Sequence, residues 1–166
     1  MAYYRGWRSA GLIATGAVGI GDKECDVQQT QWKTREAKMQ PFERTVTTDK
    51  PFDQAVLAVE TKAAEKGFRV LHTHDVAATL AEKGFPREPQ KIVEICNARY
   101  ASQVLNRDVK ISLMLPCPIS VYVQEGKTHI STLLPSSIAG FFPEAGIESL
   151  ASEVENIVLQ IVEEAR

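Results

Sequence analysis

Two cysteines, Cys96 in Ile95-Cys96-Asn97 and Cys117 in Leu115-Pro116-Cys117-Pro118, stand twenty-one residues apart, each inside a strand-like run. If the fold brings their Cα atoms within about 7 Å they could form a reversible dithiol, carry a persulfide or bind a soft metal, because a thiolate is both nucleophile and soft ligand. The competing reading is a packed core, since free cysteine is among the most buried residue types. Cys117 shares its alternation with Leu113, Leu115, Ile119 and Val121. His72 and His74 are two apart, hence on one face of a strand, and with Cys96 or Cys117 they could complete a tetrahedral Cys/His set for zinc or copper. No CxxC or HExxH spacing accompanies them, and alternate strand histidines are equally well plain surface groups. Asp75 and Asn97 join His74 as candidate ligand-binding residues, although Asp75 is placed to cap a short helix and Asn97 to shape the turn after Cys96. Lys91, Glu94 and Arg99 flank that segment and could set the charge around it. Ser136-Ser137 lacks a GxSxG elbow, so no serine hydrolase is read from it. Cys96 and Cys117 are the candidates for catalysis; no catalytic role and no cofactor is assigned.

The elements that must position these groups follow from periodicity. Phe42 to Thr47 alternates as a half-buried strand. Phe52, Ala55, Val56, Val59 and Ala63 then share a helical face, with Asp49 expected as N-cap and Gly67 as the left-handed stop. Phe68 to His74 reads as a strand, Val76 to Lys83 as a short helix, Lys91 to Cys96 as a strand, and Arg99 to Asn106 as a short helix with Ala101, Val104 and Leu105 inside. A fourth strand is expected from Ile111 to Val123, with Pro116 and Pro118 forcing a bulge or an edge. Gln124 to Lys127 is a hairpin turn into Thr128 to Leu134. The stripe Ile147, Leu150, Ala151, Val154, Ile157, Val158, Ile161 and Val162 marks a long terminal helix. Gly140-Phe141-Phe142-Pro143 before it reads as an apolar loop over the core edge or a dimer contact. Two long helices and five strands imply α+β: a two-layer, mainly antiparallel sheet with both helices on one face.

Residues 1–40 read as an N-terminal extension, a flexible or docking arm carrying Trp7 and Trp32, and residues 41–166 as the domain. Arg5 and Arg8 ahead of the weakly apolar Ala10 to Ile20 raise export or membrane association as the alternative to a cytoplasmic location. The chain's 166 residues carry 19 Lys plus Arg against 21 Asp plus Glu, a formal charge of -2, so no positive field draws in nucleic acid, which is excluded as a partner. No apolar run approaches the roughly 20 residues of a membrane-spanning helix. Three cysteines do not make a secreted disulfide framework.

From about Phe42 to Ala165 the chain resembles the domain-of-unknown-function 302 (DUF302) family. The resemblance rests on Gly67-Phe68-Arg69-Val70-Leu71, His74-Asp75-Val76-Ala77-Ala78-Thr79-Leu80, Glu94-Ile95-Cys96-Asn97 and Leu115-Pro116-Cys117-Pro118-Ile119. It implies a topology like one copy of the TATA-binding-protein-like fold and frequent homodimerisation, but no reaction. Ala98 stands where the family commonly has proline after the Cys-Asn pair. The expectation is a small homodimeric binding or accessory protein with a pocket near Cys96, Cys117 and His74. The alternatives are a thiol-dependent redox or sulfur-transfer protein and a subunit docked in a larger complex through residues 1–40.

Overall fold

The computed structural model describes residues 41–166; Cys25, Trp7, Trp32 and the rest of the N-terminal segment lie outside the described residues. Strand β1 (Glu43–Thr48) turns Val46 and Thr48 inward by simple alternation. Helix α1 (Phe52–Glu65) follows because Ala55, Val56, Val59 and Ala63 recur every three or four residues and are all buried. Its N-cap is Pro51, which supplies no side-chain hydrogen bond. The expected cap Asp49 lies two residues too far back to reach first-turn amides, and Asp53 inside the first turn supplies the favourable negative charge instead. The helix ends as its sequence predicts. Gly67 adopts φ +78°, its N–H donates to Ala64 O at 3.0 Å, and the Phe68 N–H donates to Ala63 O at 2.9 Å, the paired bonds of a Schellman stop.

The chain continues through β2 (Arg69–Asp75), α2 (Val76–Ala81), β3 (Gln90–Cys96) and α3 (Ala98–Leu105). A 3₁₀ turn (Val109–Met114) then leads to β4 (Cys117–Gln124), and β5 (Lys127–Leu133) follows at once. Glu125 and Gly126, both at positive φ, make the two-residue β4–β5 hairpin turn. Helix α4 (Pro135–Ala139), a short 3₁₀ turn (Pro143–Ala145) and the long α5 (Glu148–Ala165) complete the domain.

The sheet is antiparallel throughout, in the order β1-β5-β4-β3-β2. Because β1 and β2 are the two edges, α1 must carry the chain across the whole sheet. Its 14 residues span about 21 Å, close to the roughly 19 Å width of five strands. α1 and α5 pack on the same face over Val93, Ile95, Ile119, Val121 and Ile130, all fully enclosed. The expected two-layer α+β architecture is therefore present. A second, smaller cluster of Ile111, Ala139, Ala145, Ile147 and Ala151, with Val104 and Phe142 against it, fills the end of the domain near α3 and α4.

Four local expectations need correction. Ile111 to Met114 is 3₁₀ turn, not strand: Asp108 caps it, accepting from the Lys110 N–H at 2.8 Å, and strand pairing starts only beyond Pro116. Leu113 consequently leaves Cys117's face and is exposed. Pro118 is accommodated near the start of the central strand β4, opposite Glu94, while the β4–β5 ladder begins one residue later at Ile119; the register shift falls in β2, between Val70 and His72. Ser136-Ser137 sits in α4 rather than a loop, and the Ser136 N–H donates to Glu155 Oε2 at 2.8 Å. Of the two aromatic residues expected to cover the core edge, Phe142 packs on the second cluster and Phe141 is exposed.

Candidate functional site

A cleft opens where the two apolar clusters meet, walled by α3, the Val109–Met114 turn, the start of β4, α4 and the first turns of α5. Phe68, Ala101, Leu115, Ile138, Leu150 and Val154 line it, together with Cys96, Cys117, Asn97 and Tyr100. The space in which the centre of a water-sized sphere can sit is about 60 Å³. This exceeds the roughly 10–15 Å³ needed for one water, yet the lining offers few free polar partners to hold one.

Both cysteines border this cleft and both are free thiols. Cys117 pairs with Ile95, and Cys96 with Arg69, so the two cysteines are adjacent in the sheet but one step out of register. In a regular ladder that offset sends the side chains to opposite faces. Cys117 packs against the main core. Burial pushes its thiol from 9.0 to about 11, and the nearby Cys96 adds to the shift. Burial also raises Cys96. A reactive thiolate needs the opposite: a neighbouring cation, a helix N-terminus or a metal that lowers the pKa.

Asn97 is held in place on three sides. Its Oδ1 accepts from the N–H groups of Arg99 (3.0 Å) and Tyr100 (3.3 Å), capping α3, and its Nδ2 donates to Gly67 O at 2.9 Å. One side chain thus ties the start of α3 to the end of α1. Its expected turn-shaping role is realised without Pro at the next position, where Ala98 opens the helix. Replacing Asn97 by Ala is expected to destabilise the domain by about 1–2 kcal/mol in urea unfolding, with Ser recovering part of the loss through its own cap. Tyr100 stacks on Phe68 with ring centroids 6.3 Å apart and donates its hydroxyl to Glu153 Oε1 at 2.6 Å. That hydrogen bond, followed by burial and the Glu153 charge, raises its pKa.

The histidines do not join the cysteines. Val70 and Thr73 of β2 pair with the core residues Ile95 and Val93, whereas His72 and His74 pair with Glu94 and Ile92 on the opposite face. Thr73 confirms the orientation by donating to Glu60 Oε1 of α1 at 2.7 Å. Asp75 caps α2 through the Ala78 N–H at 2.8 Å. Lys91 turns to Asp53 (3.2 Å) and the Phe52 ring, and Glu94 to His74, so neither sets the charge at Cys96. Among the described residues, no group of three or more His, Cys, Asp or Glu side chains is placed to hold a metal ion. The cleft residues beyond the cysteines carry no chemical motif; the legible signal was the inner stripe of α3 and of α5, at Ala101, Val104, Leu150 and Val154.

Fold and cleft define an α+β domain on a five-stranded antiparallel sheet, with an apolar opening beside a paired-strand cysteine segment. The profile of the family described as Domain of unknown function DUF302 matches residues 44–165, and the chain belongs to that family. It is similar to the crystal structure of an uncharacterized conserved DUF302 protein from Bacillus stearothermophilus, with 27% identity, a TM-score of 0.73, and coverage of 76% of this chain and 100% of that one. No curated protein matches the chain. Among the described residues no helix is long and apolar enough to cross a membrane.

Proposed function

We propose that the domain is a binding protein whose ligand places a small apolar group in the cleft bordered by Cys96 and Cys117, without turnover. The observation that carries this reading is the saturation of the cleft's polar side chains. The Asn97 amide and the Tyr100 hydroxyl are already hydrogen-bonded within the protein, and burial makes both thiols harder to ionise. What is left to a ligand is apolar contact, worth about 25 cal/mol per Å² removed from water. Thiol redox or sulfur transfer gains no support from groups whose ionisation is hindered.

Benzene is a suitable probe, because dry apolar cavities take up such molecules without needing a polar partner. Titrated into ¹⁵N-labelled protein, it is expected to move the amide resonances of Tyr100, Ala101 and Val154 along saturable curves. Ala101→Leu, which fills the cleft from α3, should abolish the effect while leaving the rest of the spectrum in place. Flat resonances up to the solubility limit of benzene, or shifts retained in a folded Ala101→Leu variant, would sink the proposal.

A further inference from the structure

We infer that the cleft is the apolar end of a larger site, and that its ligand is a straight-chain carboxylate whose alkyl group enters the cleft while its anionic head lies against Arg107. This inference rests on the apolar reading of the cleft and adds the chemistry of the ligand's other end. A water-soluble ligand with an apolar group must also carry a polar end, and the side chains that would receive it inside the cleft are already hydrogen-bonded. The polar end therefore has to lie outside the cleft proper.

An open basin of about 480 Å³ adjoins the cleft, and Ile147, just ahead of α5, and Leu150 in its first turn line both. The rest of the basin is mostly polar: Gln103, Asn106, Arg107, Ser149 and Glu153. Local structure fixes where Arg107 stands. Helix α3 ends at Leu105, the Arg107 and Asp108 N–H groups both donate to Val104 O at 3.0 and 3.1 Å, and Val104 itself lines the cleft. The arginine thus sits in a tight turn beside an apolar wall residue.

Two charged side chains line the basin, and they differ in what they already hold. Glu153 Oε1 accepts the Tyr100 hydroxyl at 2.6 Å. No carboxylate among the described residues pairs with the Arg107 guanidinium. The adjacent acid, Asp108, is turned to Lys110, accepting from its N–H at 2.8 Å and lying 3.4 Å from its Nζ. An ammonium head would compete with Tyr100 for Glu153. A carboxylate head meets a fork of guanidinium donors that matches its two oxygens, with the Gln103 and Asn106 amides as further donors. The bland account is a solvated surface arginine, on which the binding of an apolar ligand does not depend. Because Arg107 is exposed, solvent screens the pair and the gain in affinity is modest; the larger effect is on the ligand's orientation and on the sign of head group accepted.

The test is titration of the full ¹⁵N-labelled chain with sodium octanoate at pH 7, where an alkyl carboxylic acid is ionised, alongside octylammonium chloride, 1-octanol and benzene. Octanoate is expected to move the amide resonances of Tyr100, Ala101 and Val154, as benzene does, and also the Gln103 side-chain amide and the Arg107 Nε–H, which benzene leaves in place. It should bind more tightly than octylammonium. Arg107→Gln should weaken octanoate roughly fivefold and leave benzene and 1-octanol unchanged. Arg99→Gln, a charge change on the same helix outside both linings, should bind octanoate as the parent does. Octylammonium binding as tightly as octanoate, octanoate affinity unchanged in the folded Arg107→Gln variant, or an equal loss in Arg99→Gln would overturn the head-group assignment while benzene binding upholds the cleft reading. Absence of benzene and octanoate shifts together would overturn both.

Discussion

Alkylation of Cys117 by iodoacetamide in the native protein is expected to be at least about a hundredfold slower at pH 7 than that of an unstructured cysteine, and to quicken about tenfold per pH unit toward pH 11. The reason is its pKa of about 11, set first by burial and second by the charge on Cys96. Only about one thiol in ten thousand is then ionised at pH 7. Access adds to the effect, because Cys117 packs against the main core. The same shift has a consequence for stability. An acid that gives up its proton less readily when folded makes the unfolded state bind fewer protons once pH passes the unfolded value. Stability is therefore unaffected below about pH 9 and falls between pH 9 and 11, by about 2–3 kcal/mol in all. Urea unfolding of the parent and of Cys117→Ala across pH 7–11 isolates this contribution, since the variant should lack that part of the alkaline loss. Rapid labelling of Cys117 at pH 7 in the folded protein would contradict its placement and revive the thiol-chemistry reading.

Ile161→Ala should destabilise the domain by about 2–5 kcal/mol in equilibrium urea unfolding, with little change in the denaturant slope. Ile161 is fully enclosed in the main cluster, on the face of α5 that meets the sheet and α1. Its truncation removes transfer free energy and leaves a space its β-sheet neighbours can close only partly. The neighbouring ion pair provides the contrast. Lys66 reaches Glu164 at 2.6 Å and Gln160 at 3.2 Å, linking the same two helices, but the pair is exposed. Lys66→Ala should cost less than about 1 kcal/mol. A larger loss for Lys66 than for Ile161 would show that α5 is held by its rim rather than by its apolar stripe.

The long elements were readable because each has one dominant cause. The α1 stripe from Ala55 to Ala63, the Gly67 stop and the α5 stripe all reflect local periodicity or a local backbone requirement. The Asp75 cap and the Asn97 turn were readable for the same reason, a short polar side chain just ahead of the amides it serves, although Asn97 proves to be the cap of α3 itself. Expectations failed where the local signal was compatible with two answers. Ile111-Ser112-Leu113-Met114-Leu115 has apolar residues at alternate positions, yet Asp108 and Pro116 hold it as a 3₁₀ turn and a connector. Ile111 is buried there, but in the second cluster rather than under a strand.

The candidate site divides along the same line. By itself the sequence determined family membership and the α+β class, because these depend on local pattern and on residues close together in the chain. Only the tertiary structure decided which groups meet. The crossing of α1 and the antiparallel order of β2, β3 and β4 put Cys117 at an apolar cleft, which Cys96 and Asn97 border at the end of β3, and His72, His74 and Glu94 on the reverse of the sheet. The physical reason is the two-residue period of a strand. One step of register chooses the face on which a side chain stands, and register is set by pairing with distant strands that no local window contains.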